Sequence, residues 1–274
     1  MLGGGKSVSV LFGVGIVSAI LGGAAGALYA SRPIAPIPAP PPPPGPMLSP
    51  SDIALRSFAS VVMVTIDDAR GRPLGSGSGF VVEKDVVVTN FHVLKGGSGG
   101  SVRLVGDRES CKIAGVLASD AAVDLALLSV PHLEAAPLAL GDSAGTVIGD
   151  KIFVVSNPQD LEGTFSEGIV SGKRKLENVR LLQITAPISS GSSGGPVLDG
   201  RARVVGVATS SLRSGQNLNF AITGDYIADL LRARGDVQEL AKVTRPAAER
   251  PIQTARAGGF LQHLGRWFHW PLTR

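Results

Sequence analysis

The chain has 274 residues, enough for one sizeable domain with extensions. Its 26 Lys and Arg against 22 Asp and Glu leave a net charge of only +4, and no basic block is interleaved with aromatics, which argues against nucleic-acid binding. The single cysteine, Cys111, excludes an internal disulfide, and the sequence carries no metal-ligand cluster and no cofactor motif.

Residues 8–30 form an uncharged run of apolar and small residues between Lys6 and Arg32. Twenty-three residues at ~1.5 Å each are long enough to span a bilayer core, so an N-terminal transmembrane helix is expected over 1–32. A cleaved signal peptide ending near Ala25-Gly26-Ala27 is the alternative. The amino terminus and Lys6 outweigh Arg32, which favours a cytoplasmic start and an exported remainder. Residues 33–50 hold ten prolines and predict an extended linker of up to ~55 Å, without helix or sheet.

A short helix is predicted from Ser51, with Ser51 or Asp52 as its N-cap. Short strands follow at Val61–Ile66, Phe80–Val82, Val86–Val88, Val102–Val105, Lys112–Leu117 and Leu125–Val130. A second set covers Ile152–Val155, Phe165–Val170, Leu181–Ile184, Val197–Leu198, Val204–Val207 and Leu218–Ile222. Many short strands between turn residues predict an all-β sandwich or barrel. A closing helix over 224–234 would pack Tyr226, Ile227, Leu230 and Leu231 on the second set. The tail 236–274 is basic and holds both tryptophans, Trp267 and Trp270. Its reading stays divided between membrane or partner contact, docking on the domain, and disorder.

The chemistry centres on Ser189-Ser190-Gly191-Ser192-Ser193-Gly194-Gly195-Pro196. Glycines there permit a sharp turn that exposes the Ser193 hydroxyl and aims the Gly191 and Ser193 amides at one point, as an oxyanion requires. A flexible Gly/Ser linker is the bland alternative. A serine hydroxyl needs a base, and the base needs an orienting group. Of four histidines, only His92 lies in a tight apolar frame, Val87-Val88-Thr89-Asn90-Phe91-His92-Val93. Asp124, heading Leu125-Ala126-Leu127-Leu128, is the candidate carboxylate, and Asp120 is its rival. The order His92, Asp124, Ser193 is the order of the chymotrypsin clan.

The frames Thr-Asn-x-His-Val, Asp-Leu-Ala-Leu-Leu and Gly-Ser-Ser-Gly-Gly-Pro resemble those of HtrA/DegP-type trypsin-like serine proteases. So do Ser156-Asn157-Pro158 through Gly163-Thr164 to Gly168-Ile169-Val170-Ser171-Gly172, and Asn219-Phe220-Ala221-Ile222. The resemblance covers roughly 51–235. It implies two six-stranded antiparallel β-barrels, about 58–140 and 141–222, with the site in the cleft between them. It implies a serine endopeptidase with Ser193 as nucleophile, His92 as base and Asp124 as its orienting acid. By the same resemblance Thr209, Ser210, Ser211, Asn219 and Phe220 wall the substrate pocket. Pro187 stands six residues before Ser193, where basic-specific members carry an acid, so small or medium apolar residues are expected before the cut. Ser192 precedes the nucleophile without a charge, which leaves a zymogen-type switch no electrostatic handle. About forty residues follow the closing helix, too few for the PDZ domain usual in this family.

The expected partners are protein or peptide substrates and the membrane through 8–30, not nucleic acid, with a homo-oligomer left open. The expected location is a bacterial inner membrane, single-pass, with the protease domain on the periplasmic side. A catalytically silent binding module on the same fold is the competing function.

Overall fold

The computed structural model describes residues 46–157, 163–211 and 218–244. The apolar segment 8–30, the spacer through residue 45 and the tail from 245 onward lie outside the described residues. Among the described residues no helix is long and apolar enough to cross a membrane.

Helix α1 (Pro50–Phe58) is capped by Ser49, two or three residues earlier than expected. Ser49 Oγ accepts the Asp52 amide at 3.1 Å, and Pro50 takes the first helical position, where a missing amide costs nothing.

Seven strands make one antiparallel sheet: β1 (Val61–Asp67), β2 (Pro73–Glu83), β3 (Val86–Thr89), β4 (Gly99–Leu104), β5 (Cys111–Lys112), β6 (Gly115–Asp120) and β7 (Leu125–Ser129). Their order is β5-β4-β1-β2-β3-β7-β6. Six more close into a barrel of order β10-β13-β12-β11-β8-β9: β8 (Lys151–Ser156), β9 (Thr164–Leu176), β10 (Val179–Ile184), β11 (Pro196–Leu198), β12 (Val204–Ser211) and β13 (Asn219–Thr223). The all-β class and the second barrel are as expected. The first is not a closed six-stranded barrel but an open seven-stranded sheet. The reason lies in Lys112–Leu117, expected as one strand. It breaks at Ile113-Ala114, where Ile113 donates to Gly100 O at 3.1 Å and Ala114 to Ser129 O at 2.8 Å. Its first half thus pairs with β4 and its second with β7, so the ladder turns a corner there without closing.

The strand sequences explain how the two sheets join. Side chains alternate between faces along a strand. In Phe80-Val81-Val82, Leu125-Ala126-Leu127-Leu128 and Ile152-Phe153-Val154-Val155, however, every residue is buried. One set, with Val81, Ala126 and Leu128, packs in the first sheet's own core. Ile152 and Val154 fill the barrel. The alternate set, Phe80, Val82, Leu125, Leu127, Phe153 and Val155, forms one shared cluster between the two. Strands wetted on neither face read as continuous apolar runs.

Helix α2 (Asp225–Ala233) belongs to this shared layer rather than to the second barrel alone. Ile227 and Leu230 enter the common cluster, and the helix lies against β6 and β7 of the first sheet. Tyr226 faces the barrel, where its hydroxyl accepts the Arg180 amide at 3.1 Å. The chain then seals the free edge of β6. Val116 and Gln238 exchange amide–carbonyl bonds of 2.8 and 2.9 Å, and Leu240, on helix α3 (Leu240–Thr244), is buried in the first sheet's core.

Candidate active site

Strand β3 ends at Thr89, and the chain enters a 3-10 turn, Phe91–Leu94, that presents His92. Asp124 lies opposite, between β6 and β7. It is fully buried and holds φ of 66°, a left-handed conformation that is uncommon outside glycine. Two bonds hold that backbone: the Asn90 side-chain amide and the Phe91 N–H both donate to Asp124 O, at 2.9 and 3.2 Å. The carboxylate then grips His92 twice. Oδ1 accepts the His92 backbone amide at 2.8 Å and Oδ2 accepts Nδ1–H at 2.7 Å. This assigns the proton to Nδ1 and leaves Nε2 the basic nitrogen.

A buried carboxylate is costly unless its lone pairs are used. Thr209 supplies a third donor, with Oγ1 at 3.0 Å from Oδ2. Asp120, the rival carboxylate, does not reach His92. Its Oδ1 accepts the amides of Ala122 and Val123 at 2.8 and 3.1 Å, so it builds the turn that delivers Asp124.

The serine loop comes from the barrel. Ser193 Oγ donates to Thr209 O at 2.9 Å. Thr209 therefore touches both ends of the constellation, through its carbonyl to Ser193 and through its hydroxyl to Asp124. The loop is bonded almost completely. Ser192 donates to Ser189 O, Gly195 to Ser192 O and Gly194 to Ala208 O. Gly191 and Gly194 sit at φ of 91° and 89°, as the turn requires. At Gly194 a Cβ would lie 2.0 Å from Ser78 O, so the first sheet presses against this loop. Among the described residues no hydrogen bond uses the amides of Gly191 and Ser193, the two expected to face an oxyanion.

The expected pocket strands also meet. Ser210 pairs with Phe220 and Ser211 with Asn219 across β12 and β13, and Asn219 Nδ2 donates to Ala186 O at 2.7 Å, three residues before Ser189. Pro187 is exposed beside this strand pair's loop, its carbonyl accepting Ser166 Oγ at 2.9 Å. His132 takes no part; it is exposed, with its carbonyl facing Cys111 Sγ at 3.7 Å. Leu161 and Glu162 lie outside the described residues. Among the described residues no group of three or more His, Cys, Asp and Glu side chains could hold a metal ion.

Two contributors lacked an expectation. The Thr209 hydroxyl stands on an expected pocket residue but faces the carboxylate. Ser78 lies within Gly75-Ser76-Gly77-Ser78-Gly79, which shows no apolar periodicity; alternating small residues ahead of an apolar run are the signal that another chain segment approaches closely.

Residues 77–207 match the family model of the trypsin-like peptidase domain. The chain is similar to Protease Do-like 1, chloroplastic, of Arabidopsis thaliana, 32% identical over 188 residues, covering 64% of this chain and 42% of the relative. It is similar to a probable periplasmic serine endoprotease, DegP-like, of Brucella suis biovar 1, 33% identical over 180 residues, covering 61% of this chain and 35% of the relative. Among solved structures, Deg5 aligns with a TM-score of 0.57 at 31% identity, over 65% of this chain and 90% of that one. The chain thus spans less than half of either curated relative.

Proposed function

This chain belongs to the trypsin-like serine peptidases of the HtrA/DegP type, and from that premise we propose that it is a membrane-anchored serine endopeptidase of the cell envelope, acting in protein quality control or processing. Ser193 Oγ attacks the substrate carbonyl. His92 Nε2 takes the serine proton and later returns it to the leaving amine. Asp124 fixes the imidazole with Nδ1 protonated and stabilises its charged form. The amides of Gly191 and Ser193 receive the oxyanion, each worth ~2.7–4 kcal/mol in the transition state by the general rule for such donors. Water then hydrolyses the acyl-enzyme by the same steps. The observation that carries this reading is the double grip of the buried Asp124 carboxylate on His92, at 2.7 and 2.8 Å, linked through Thr209 to the Ser193 hydroxyl.

The walls formed by Thr209, Ser210, Ser211, Asn219 and Phe220, with Pro187 in place of an acid, suit a small or medium apolar residue before the cut. The relatives' names, a probable periplasmic endoprotease among them, support an extracytoplasmic setting. In this reading residues 8–30 anchor the chain and the proline spacer holds the domain off the bilayer.

Two measurements test the proposal. The full chain should label stoichiometrically with a fluorophosphonate at Ser193 and digest casein. Labelling with no casein digestion would make it an esterase-like hydrolase, and neither would make it a silent binding module. For the anchor, full-length protein should stay with membranes through a carbonate wash. A mature chain beginning between Gly26 and Ser31 would instead identify a cleaved leader.

A further inference from the structure

Ser78 lies on β2 of the first sheet, completely buried, yet all of its polar groups are spent on the other side of the cleft or on the strand beside it. Its amide donates to Ser193 O at 2.8 Å. Its hydroxyl donates to Gly191 O at 2.7 Å. The same oxygen accepts the Asn157 amide at 2.8 Å, and its carbonyl accepts Thr89 Oγ1 at 2.8 Å. A serine hydroxyl has one proton and two lone pairs. With the Asn157 amide occupying one lone pair, the proton is directed at Gly191.

The peptide planes of the serine loop show what that bond does. The plane carrying the Ser193 N–H is held by its own carbonyl, Ser192 O, which accepts Gly195 N–H at 3.0 Å. The plane carrying the Gly191 N–H has no such tie among the described residues. Its direction depends on rotation about the Gly191 bonds, and glycine at φ of 91° opposes that rotation less than any other residue. The next plane, Gly191 to Ser192, is gripped at both ends, by Ser78 on Gly191 O and by Ser189 O on the Ser192 amide at 2.9 Å. Fixing that plane limits how the preceding one can turn. The loop has no charge of its own for this purpose. The residue before the nucleophile is Ser192, buried, with its hydroxyl bonded to Ser156 Oγ at 3.1 Å and to the Ser189 amide at 3.2 Å.

We infer that Ser78 is a positioning residue for the oxyanion-binding amides: a first-sheet hydroxyl that holds the Gly191 carbonyl and thereby keeps the Gly191 N–H turned toward the reacting carbonyl. The inference rests on the peptidase reading above. It makes the oxyanion site a joint product of both sheets, assembled by neutral hydrogen bonds alone.

The test uses the full chain and a fluorophosphonate, whose attack by Ser193 places an oxygen in the same site. Concentration-dependent labelling separates the limiting rate, kinact, from the binding constant, KI. Ser78→Ala should label to the same final stoichiometry as the parent, with KI within about twofold and kinact about 10- to 100-fold lower, short of the ~10²–10³ lost when an oxyanion donor itself is removed. Ser78→Cys, close in size and only a weak donor, should show the same kind of loss and serves where the alanine variant fails to fold. A merely structural role would instead give parental kinact with a reduced labelled fraction, and that result overturns the inference. So does a folded variant with kinact within twofold of the parent. A parent chain that neither labels nor digests casein defeats the peptidase reading itself, which is a separate outcome from an active parent indifferent to Ser78.

Discussion

Ser193→Ala is expected to abolish peptide hydrolysis, a loss on the order of 10⁶-fold in kcat when a nucleophile of this kind is removed, while thermal unfolding shifts by no more than a few degrees. Ser193 is only half-buried, and its hydroxyl contributes one bond, to Thr209 O, so little packing is lost. Its neighbour should behave in the opposite way. Ser192 is 1% exposed, and its hydroxyl bonds Ser156 Oγ and the Ser189 amide. Ser192→Ala strands both partners and should cost roughly 1–3 kcal/mol of stability, the usual penalty for orphaned buried polar groups, with a smaller effect on turnover. Ser190 is exposed, and its alanine variant should be close to neutral in both respects. Measuring kcat/KM and melting temperature on all three variants checks the assignment. If Ser192→Ala loses hydrolysis and Ser193→Ala keeps it, the nucleophile has been placed one residue out of register.

Much of the fold was legible because burial on both faces leaves unbroken apolar runs, and those runs marked β3, β7 and β8 closely. The misreadings share one cause. Strand β2 begins at Pro73, seven residues before its apolar part; within that stretch Gly77 and Ser78 are placed by closeness to the serine loop, not by hydrophobicity. Strand β9 runs on through Lys173-Arg174-Lys175 to Leu176, where one edge of the barrel is wet. The break at Ile113-Ala114 is decided by two partners, β4 and β7, that no local pattern reveals.

The site divides the same way. His92 and Asp124 could be chosen from their frames, since a histidine after a buried strand and an aspartate opening another have strong local context. Asp120 could not be dismissed from sequence, because both aspartates lie in the same turn; the structure separates them by what each oxygen accepts. Ser78 reaches Gly191 across 113 residues, and Thr209 reaches Asp124 across 85. Bonds over such separations leave no periodicity to read.

Asp124→Asn is expected to lower kcat by about 10⁴-fold with the fold intact, the size of loss known for this substitution in a serine-protease triad. The argument is one of donor and acceptor counts. In the parent both carboxylate oxygens only accept: Oδ1 from the His92 backbone amide, Oδ2 from His92 Nδ1–H and from Thr209 Oγ1. Asparagine offers one oxygen and one NH₂ group. If the NH₂ took the Oδ1 place, it would face a backbone N–H at 2.8 Å, which can never accept. The NH₂ must therefore take the Oδ2 place. There the Thr209 hydroxyl can turn round and accept, but His92 Nδ1 must give up its proton to accept as well. The proton moves to Nε2, the nitrogen that should receive the proton of Ser193, and the imidazole is no longer a base toward the nucleophile. The backbone has no reason to object. Position 124 holds φ of 66°, and asparagine tolerates that left-handed conformation at least as well as aspartate does. Burying an amide in place of a carboxylate also removes a desolvation cost. Turnover should thus collapse while melting changes little, and nitrogen NMR of His92 should show the proton moved from Nδ1 to Nε2. A variant that keeps more than a tenth of parental kcat would show that Asp124 does not set the tautomer. One that unfolds would show that the carboxylate serves the fold before the chemistry.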